Sequence, residues 1–228
     1  IHMDTLSLDA AGGHIAMNGY FNGSDPEHIY FKPNMTLTNV DLDKLLFKFE
    51  NFGQDAIVSE NLHGKLSANI TGNIRVYPDM VPDLDQSEVH LDVEVLNGRL
   101  ENYDPVLMLS DYFGDKDLTN IRFDTLQNHM DITNGIISIP NMTIASSLGQ
   151  MDLSGTQNMN NAIDYYVRIP WSLVKQAARN KLFGAKKEDN SEEDEIIEID
   201  PEKKIRYLNL NISGTLDEYT IKMRKAKK

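Results

Sequence analysis

Residues 62–76 read Leu62-His63-Gly64-Lys65-Leu66-Ser67-Ala68-Asn69-Ile70-Thr71-Gly72-Asn73-Ile74-Arg75-Val76. Leu62, Leu66, Ala68, Ile70, Ile74 and Val76 alternate with His63, Lys65, Ser67, Asn69, Thr71, Asn73 and Arg75, a period of two held over the whole stretch. Successive side chains of a strand point to opposite faces, whereas a helix would need a repeat of 3.6. The stretch therefore reads as one long strand, or two joined at Gly72, with one dry face and one wet face.

Shorter runs of the same kind lie on both sides. Leu6 and Leu8, Met35 and Leu37, and Val89, Leu91, Val93 and Val95 alternate with polar residues. The last run leads into Asn97-Gly98, and Asn134-Gly135 separates Met130 and Ile132 from the β-branched segment 136–139. Asn-Gly favours the primed turns that match strand twist, so each pair is expected to close a hairpin. Further strands are expected at 142–145, 150–155, 163–169, 207–214 and 219–223. Three short helices interrupt them. Asp43 is expected to cap one that carries Leu45, Leu46, Phe49 and Phe52 and stops at Gly53, and Asp104-Pro105 opens a second with Leu109 and Phe113 that stops at Gly114. The third spans about 171–183, with Val174, Ala177, Ala178 and Leu182 opposite Lys175, Arg179 and Lys181. The first two share a Phe-Gly ending and are each followed by a long alternating stretch, a weak internal repeat of strand-helix-strand units. The fold class is mainly β.

With 228 residues, 40% of them hydrophobic, the chain suffices for one large β domain or two packed repeats. A formal net charge of -13 and a pI near 4.8 disfavour a nucleic-acid partner, whose phosphates call for clustered Lys and Arg. The absence of Cys excludes disulfides, thiolate catalysis and Cys-ligated zinc. No run approaches the roughly 20 apolar residues that cross a bilayer as a helix. Residues 1–3, Ile1-His2-Met3, look like a vector remnant, so any membrane anchor is expected outside this sequence. Segment 188–200 carries eight carboxylates, among them Glu192, Glu193, Asp194 and Glu195, and is expected to be a disordered acidic loop within 186–202.

No catalytic or metal motif stands out along the chain. His2, His14, His28, His63, His90 and His129 form neither His-Glu-x-x-His nor a close pair on one element, so no metal site is expected, and His63 and His129 are expected on solvated strand faces. Asp83, Asp85, Ser87 and Glu94 fall at positions one, three, five and twelve of a calcium loop. Position six, which needs Gly, is Glu88, and a solvated loop is the expectation. There is no Gly-x-Ser-x-Gly elbow, phosphate-binding glycine loop or dinucleotide fingerprint, which points away from an enzyme and requires no cofactor.

Segment 95–170 resembles the C-terminal region of the AsmA-like proteins. The matching pattern is L-N-G-R-L at 96–100, a short helix with Leu107 and Leu109, I-R-F at 121–123, I-T-N-G-I-I at 132–137 and L-S-G at 153–155, with a terminal I-S-G-T-L at 212–216. Upstream, N-V-D-L-D-K-L at 39–45 and L-H-G-K-L at 62–66 are similar to repeat units of the same family. The resemblance implies a first β repeat at 4–86 and an AsmA-like C-terminal region at 87–228. It further implies a long, curved antiparallel sheet with an apolar groove, in a periplasmic protein of the diderm envelope anchored to the inner membrane. Its expected role is lipid transfer or outer-membrane assembly, with phospholipid or another acyl-chain lipid, and envelope proteins, as partners. Leu62, Leu66, Ile70, Ile74, Val89, Leu91 and Val93 are the expected lipid-binding residues. An ordinary closed core would use the same pattern. Two further readings are a scaffold that binds proteins without lipid and a carbohydrate-binding sandwich, for which Tyr165, Tyr166 and Trp171 are the available aromatics.

Overall fold

The computed structural model describes residues 1–53, 58–79, 81–113, 116–172, 174–175, 206–216 and 218–224. Within them eleven strands form a single antiparallel sheet, open and curved. These are β1 (His2–Ala10), β2 (Gly13–Asn22), β3 (Ile29–Asp41), β4 (Leu62–Val76), β5 (Pro82–Glu101), β6 (Asn120–Thr133), β7 (Ile136–Ser146), β8 (Gly149–Asn158), β9 (Ala162–Pro170), β10 (Tyr207–Thr215) and β11 (Tyr219–Arg224). Their order in space is their order in the chain. The stretch 62–76 is one unbroken strand through Gly72.

Register carries the alternation of β4 across its neighbours. Ala68 lies opposite Leu37 and Val93, Ile70 opposite Met35 and Leu91, and Leu66 opposite Val40 and Val95. Directly opposed residues share a face, so the apolar set of β4 joins those of β3 and β5. On the far side of β5, Val95, Leu91 and Val89 meet Leu126, Met130 and Ile132 of β6. A slip of one residue anywhere would turn a whole strand's apolar set to water.

The helices gather at one end of the sheet, where odd-numbered strands finish and even-numbered ones begin. Helix α1 (Leu42–Lys48) links β3 to β4, followed by a 3-10 turn at Glu50–Gly53, and α2 (Asp104–Leu107) and α3 (Ser110–Phe113) link β5 to β6. Leu42 and Leu45 of α1 pack with Ile15, Leu37, Val40, Leu66 and Val95 in one buried cluster. Leu109 and Phe113 pack with Ile121, Leu148 and the apolar residues of β9 and β10 in a second.

Several expectations are corrected. Asn97-Gly98 closes no hairpin but lies within the 20-residue β5. Asn97, at φ 50°, forms a bulge that shifts the register with β4 between His63 and Lys65. The residue that precedes α1 is Asp41, not Asp43, and its carboxylate caps no backbone N–H. Asp83, Asp85, Ser87 and Glu94 lie on β5 and not in a solvated loop, with Asp83 and Ser87 buried. Ser87 donates its hydroxyl to the Asp83 carbonyl at 2.6 Å, so these groups are spent on the bend of the strand. The expected division at 86/87 falls inside β5, whose ladder with β4 continues on both sides of it. Of the expected third helix, residues 171–172 and 174–175 are helical, and the rest lies outside the described residues, as does the acidic segment 188–200.

Candidate functional site: the apolar face of the sheet

The seven residues expected to line a trough all lie on the apolar face, on β4 and β5. Leu66 and Val89 are buried, and Leu62, Ile70, Ile74, Leu91 and Val93 are half-buried. Leu66 belongs to the buried cluster that includes Leu42 and Leu45 of α1, Leu62, Ile70 and Val93 pack against that cluster, and Ile74 and Leu91 belong to neither cluster. No second sheet lies across this face among the described residues, since all eleven strands belong to one sheet. The closed sandwich that periodicity alone left open is therefore not the architecture.

Register adds lining residues that chain spacing did not reveal. Met35 and Phe31 of β3 stand opposite Ile70 and Ile74, and Leu126, Met130 and Ile132 of β6 continue the face beyond β5. Asn128 interrupts this apolar row. It lies opposite Val93, its Oδ1 accepts the His129 backbone N–H at 2.9 Å, and its Nδ2 is buried without a partner. An unsatisfied buried donor costs about 1–3 kcal/mol. It marks the one polar handle on this stretch of the face, and no motif could have found it. Towards the C-terminus the face is closed over: Ile163, Tyr165, Val167, Leu208, Leu210 and Ile212 are all buried. Burial pushes the Tyr165 hydroxyl up to about 12, and that hydroxyl donates to Gln157 Oε1 at 2.6 Å.

The polar face is organised differently. One open depression, of about 580 Å3, is lined by Thr36, Ser67, Asn69, Asp92, Glu94 and Gln127 among others. A second, about 530 Å3, lies around His63, Arg99 and Arg122 at the bulge in β5. Neither coincides with the seven expected residues as a group. His63 is half-buried beside Glu101, 3.6 Å away, and not on a solvated face as expected, whereas His129 is exposed. Tyr165 is buried and Tyr166 half-buried, with the Arg224 guanidinium 4.8 Å from the Tyr166 ring centre, and Trp171 is 38% exposed at the opposite end of β9 from Ala162. These aromatics do not form one platform.

Comparison with family models, with curated proteins and with solved structures finds no match to this chain.

Proposed function

We propose that the apolar face over β3–β6 is a trough for the acyl chains of a lipid, in a non-enzymatic, AsmA-like module of the bacterial envelope held at the inner membrane by a segment outside this sequence. The observation that carries the reading is the half-buried state of Ile70, Ile74, Leu91 and Val93 on a face with no second sheet among the described residues. Contiguous apolar surface of this extent is rarely left to water in a soluble protein. Each methylene group taken from water onto it contributes roughly 0.8 kcal/mol. Among the described residues, helices α1 to α3 gather at one end of the strands and no helix lies over the other end, which supports entry of a chain there.

A second reading, a protein-binding scaffold, has its own observation. Among the described residues both sheet edges are unpaired, and they carry exposed Leu6 and Leu8 on β1 and Met223 on β11. The two readings separate on Ile70→Asp, with Thr71→Asp on the opposite face as control. On the trough reading Ile70→Asp melts within a few degrees of the unmodified protein while binding of a fluorescent fatty acid falls, and Thr71→Asp changes neither. Failure of the unmodified protein to bind the fatty acid, together with unfolding of Ile70→Asp, would leave the face an ordinary core and favour the scaffold.

A further inference from the structure

The polar side of β5 and β6 carries a cluster that no motif reveals, because its members come from two strands about forty residues apart. His90 lies opposite Asp131, and Asp92 opposite His129. Asp131 Oδ1 sits 2.6 Å from His90 Nδ1 and 3.4 Å from His129 Nε2. The two imidazoles stack with 6.5 Å between centres and 12° between planes. One ligand atom from each of the three residues lies within 4.8 Å of the other two.

From this arrangement we propose that His90, His129 and Asp131 form a binding site for a late first-row divalent metal ion, of which Zn2+ is the representative. Tetrahedral zinc with ligands at about 2.0–2.2 Å sets them roughly 3.3 Å apart. Closing the cluster to that size takes a shift of about 1.5 Å at most, within reach of two exposed imidazoles and a half-buried carboxylate without any change in the ladder. The backbone beneath is held by the ladder, since β5 is paired at His90 with both β4 and β6, and β6 is paired with β5 at His129 and with both β5 and β7 at Asp131.

The outer nitrogens supply the second argument. A metal-bound imidazole commonly directs its other N–H to a carboxylate, which fixes its tautomer and orientation. With His129 Nε2 turned to Asp131, its Nδ1 lies 2.7 Å from Asp92 Oδ1. With His90 Nδ1 turned to Asp131, its Nε2 lies 3.6 Å from Glu88 Oε1. His129 is thus oriented by a carboxylate from behind, and Glu88 stands behind His90 beyond hydrogen-bond distance. The pairs His14–Asp9 and His28–Asp25, each 2.8 Å apart, have one histidine and no second ligand; among the described residues the β5–β6 cluster is the one group of three. Three protein ligands leave a coordination position for water or an exchangeable anion. Two imidazoles favour zinc, nickel or copper over calcium and magnesium. The site lies on the opposite side of the sheet from Leu91, Val93 and Met130, and the proposal stands independently of the lipid reading.

Isothermal titration of the full chain with ZnCl2 in a non-coordinating buffer tests it. One saturable site per chain is expected. His90→Ala, His129→Ala and Asp131→Ala each weaken it at least tenfold, Asp92→Asn weakens it about tenfold, and the combined His14→Ala and His28→Ala variant leaves it unchanged. CaCl2 at the same concentration does not compete. Imidazole NMR signals of the unmodified protein supply a readout that does not depend on a variant folding: zinc shifts those of His90 and His129 ahead of those of His14 and His28. The proposal is overturned by the absence of saturable binding, by affinity in His90→Ala and His129→Ala unchanged from that of the unmodified protein, or by equal competition from calcium, which would mark a diffuse acidic surface.

Discussion

At the scale of single residues, Asp41 shows how a side chain in a capping position is diverted to another task. It precedes α1, where a carboxylate commonly accepts a helical N–H, yet it lies 2.6 Å from Lys44 Nζ and 2.5 Å from Lys65 Nζ. It thus fastens the first turn of α1 to β4, the strand that carries most of the expected trough residues. Hydrogen bonds from Lys44 and then Lys65 hold its carboxyl below the usual value of 3.8. A carboxylate lowered on folding contributes stability that is fully present above its unfolded pKa and is lost as the pH falls through the folded one. Asp41→Asn is therefore expected to lower the melting temperature at pH 7 by about 2 °C, the scale of a partly exposed ion pair in a chain of this size. The difference from the unmodified protein should shrink below a pH of about 4. Melting curves recorded across that range check it, and a difference that persists at low pH would assign Asp41 a role other than its charge.

Two identical dipeptides show what can be read at the scale of elements. Asn97 and Asn134 adopt nearly the same backbone, φ 50° and φ 51°. Gly135 follows at φ 71° and completes a hairpin, whereas Gly98 has no positive φ and the strand continues. The dipeptide specifies the first residue, and the neighbours decide the second. At Gly98 the neighbour is the Phe123 ring on β6, which occupies the space that a Cβ would fill. Phe123 is 5% exposed and has no room to swing away. Gly98→Ala is expected to cost about 1–3 kcal/mol through overpacking, and Phe123→Leu in the same chain should recover part of the loss. Gly135→Ala should cost about 1 kcal/mol, mainly through its backbone at φ 71°, since the side chain it meets is the exposed Asp85 carboxylate, which can move aside, and Phe123→Leu should not recover it. Denaturant midpoints for the single and double variants check both.

The same contrast explains what else was legible. Alternation identified the long strand β4 and the apolar run of β5 because a period of two survives any partner. Strand β2 escaped because Gly13, Ala16 and Gly19 dilute its pattern. The metal cluster escaped because its geometry comes from pairing His90 with Asp131, which spacing along one strand does not encode. The lining residues of β6 escaped for the same reason: the pattern gives each strand two faces but not its register with the next.

At the scale of the whole molecule, ten strand-to-strand steps of roughly 4.8 Å give a sheet some 48 Å across, measured along its hydrogen bonds. Interior strands are held on two sides and edge strands on one. Amide exchange is therefore expected to be slowest in β4–β6 and fastest in β1 and β11, a gradient and not a single cooperative step. Uniform protection across all eleven strands would show that the clusters beneath α1 and α3 bind the sheet into one unit. The neighbour relations have a consequence for how the molecule is made. Among the described residues every strand pairs only with the strand before it in the chain and the one after it, so none of these strands waits for a distant partner still to be synthesised. A polypeptide emerging one end first can add each strand to a template already in place, and only the newest edge and the outer edge of β1 are open to a wrong partner while the next strand is on its way.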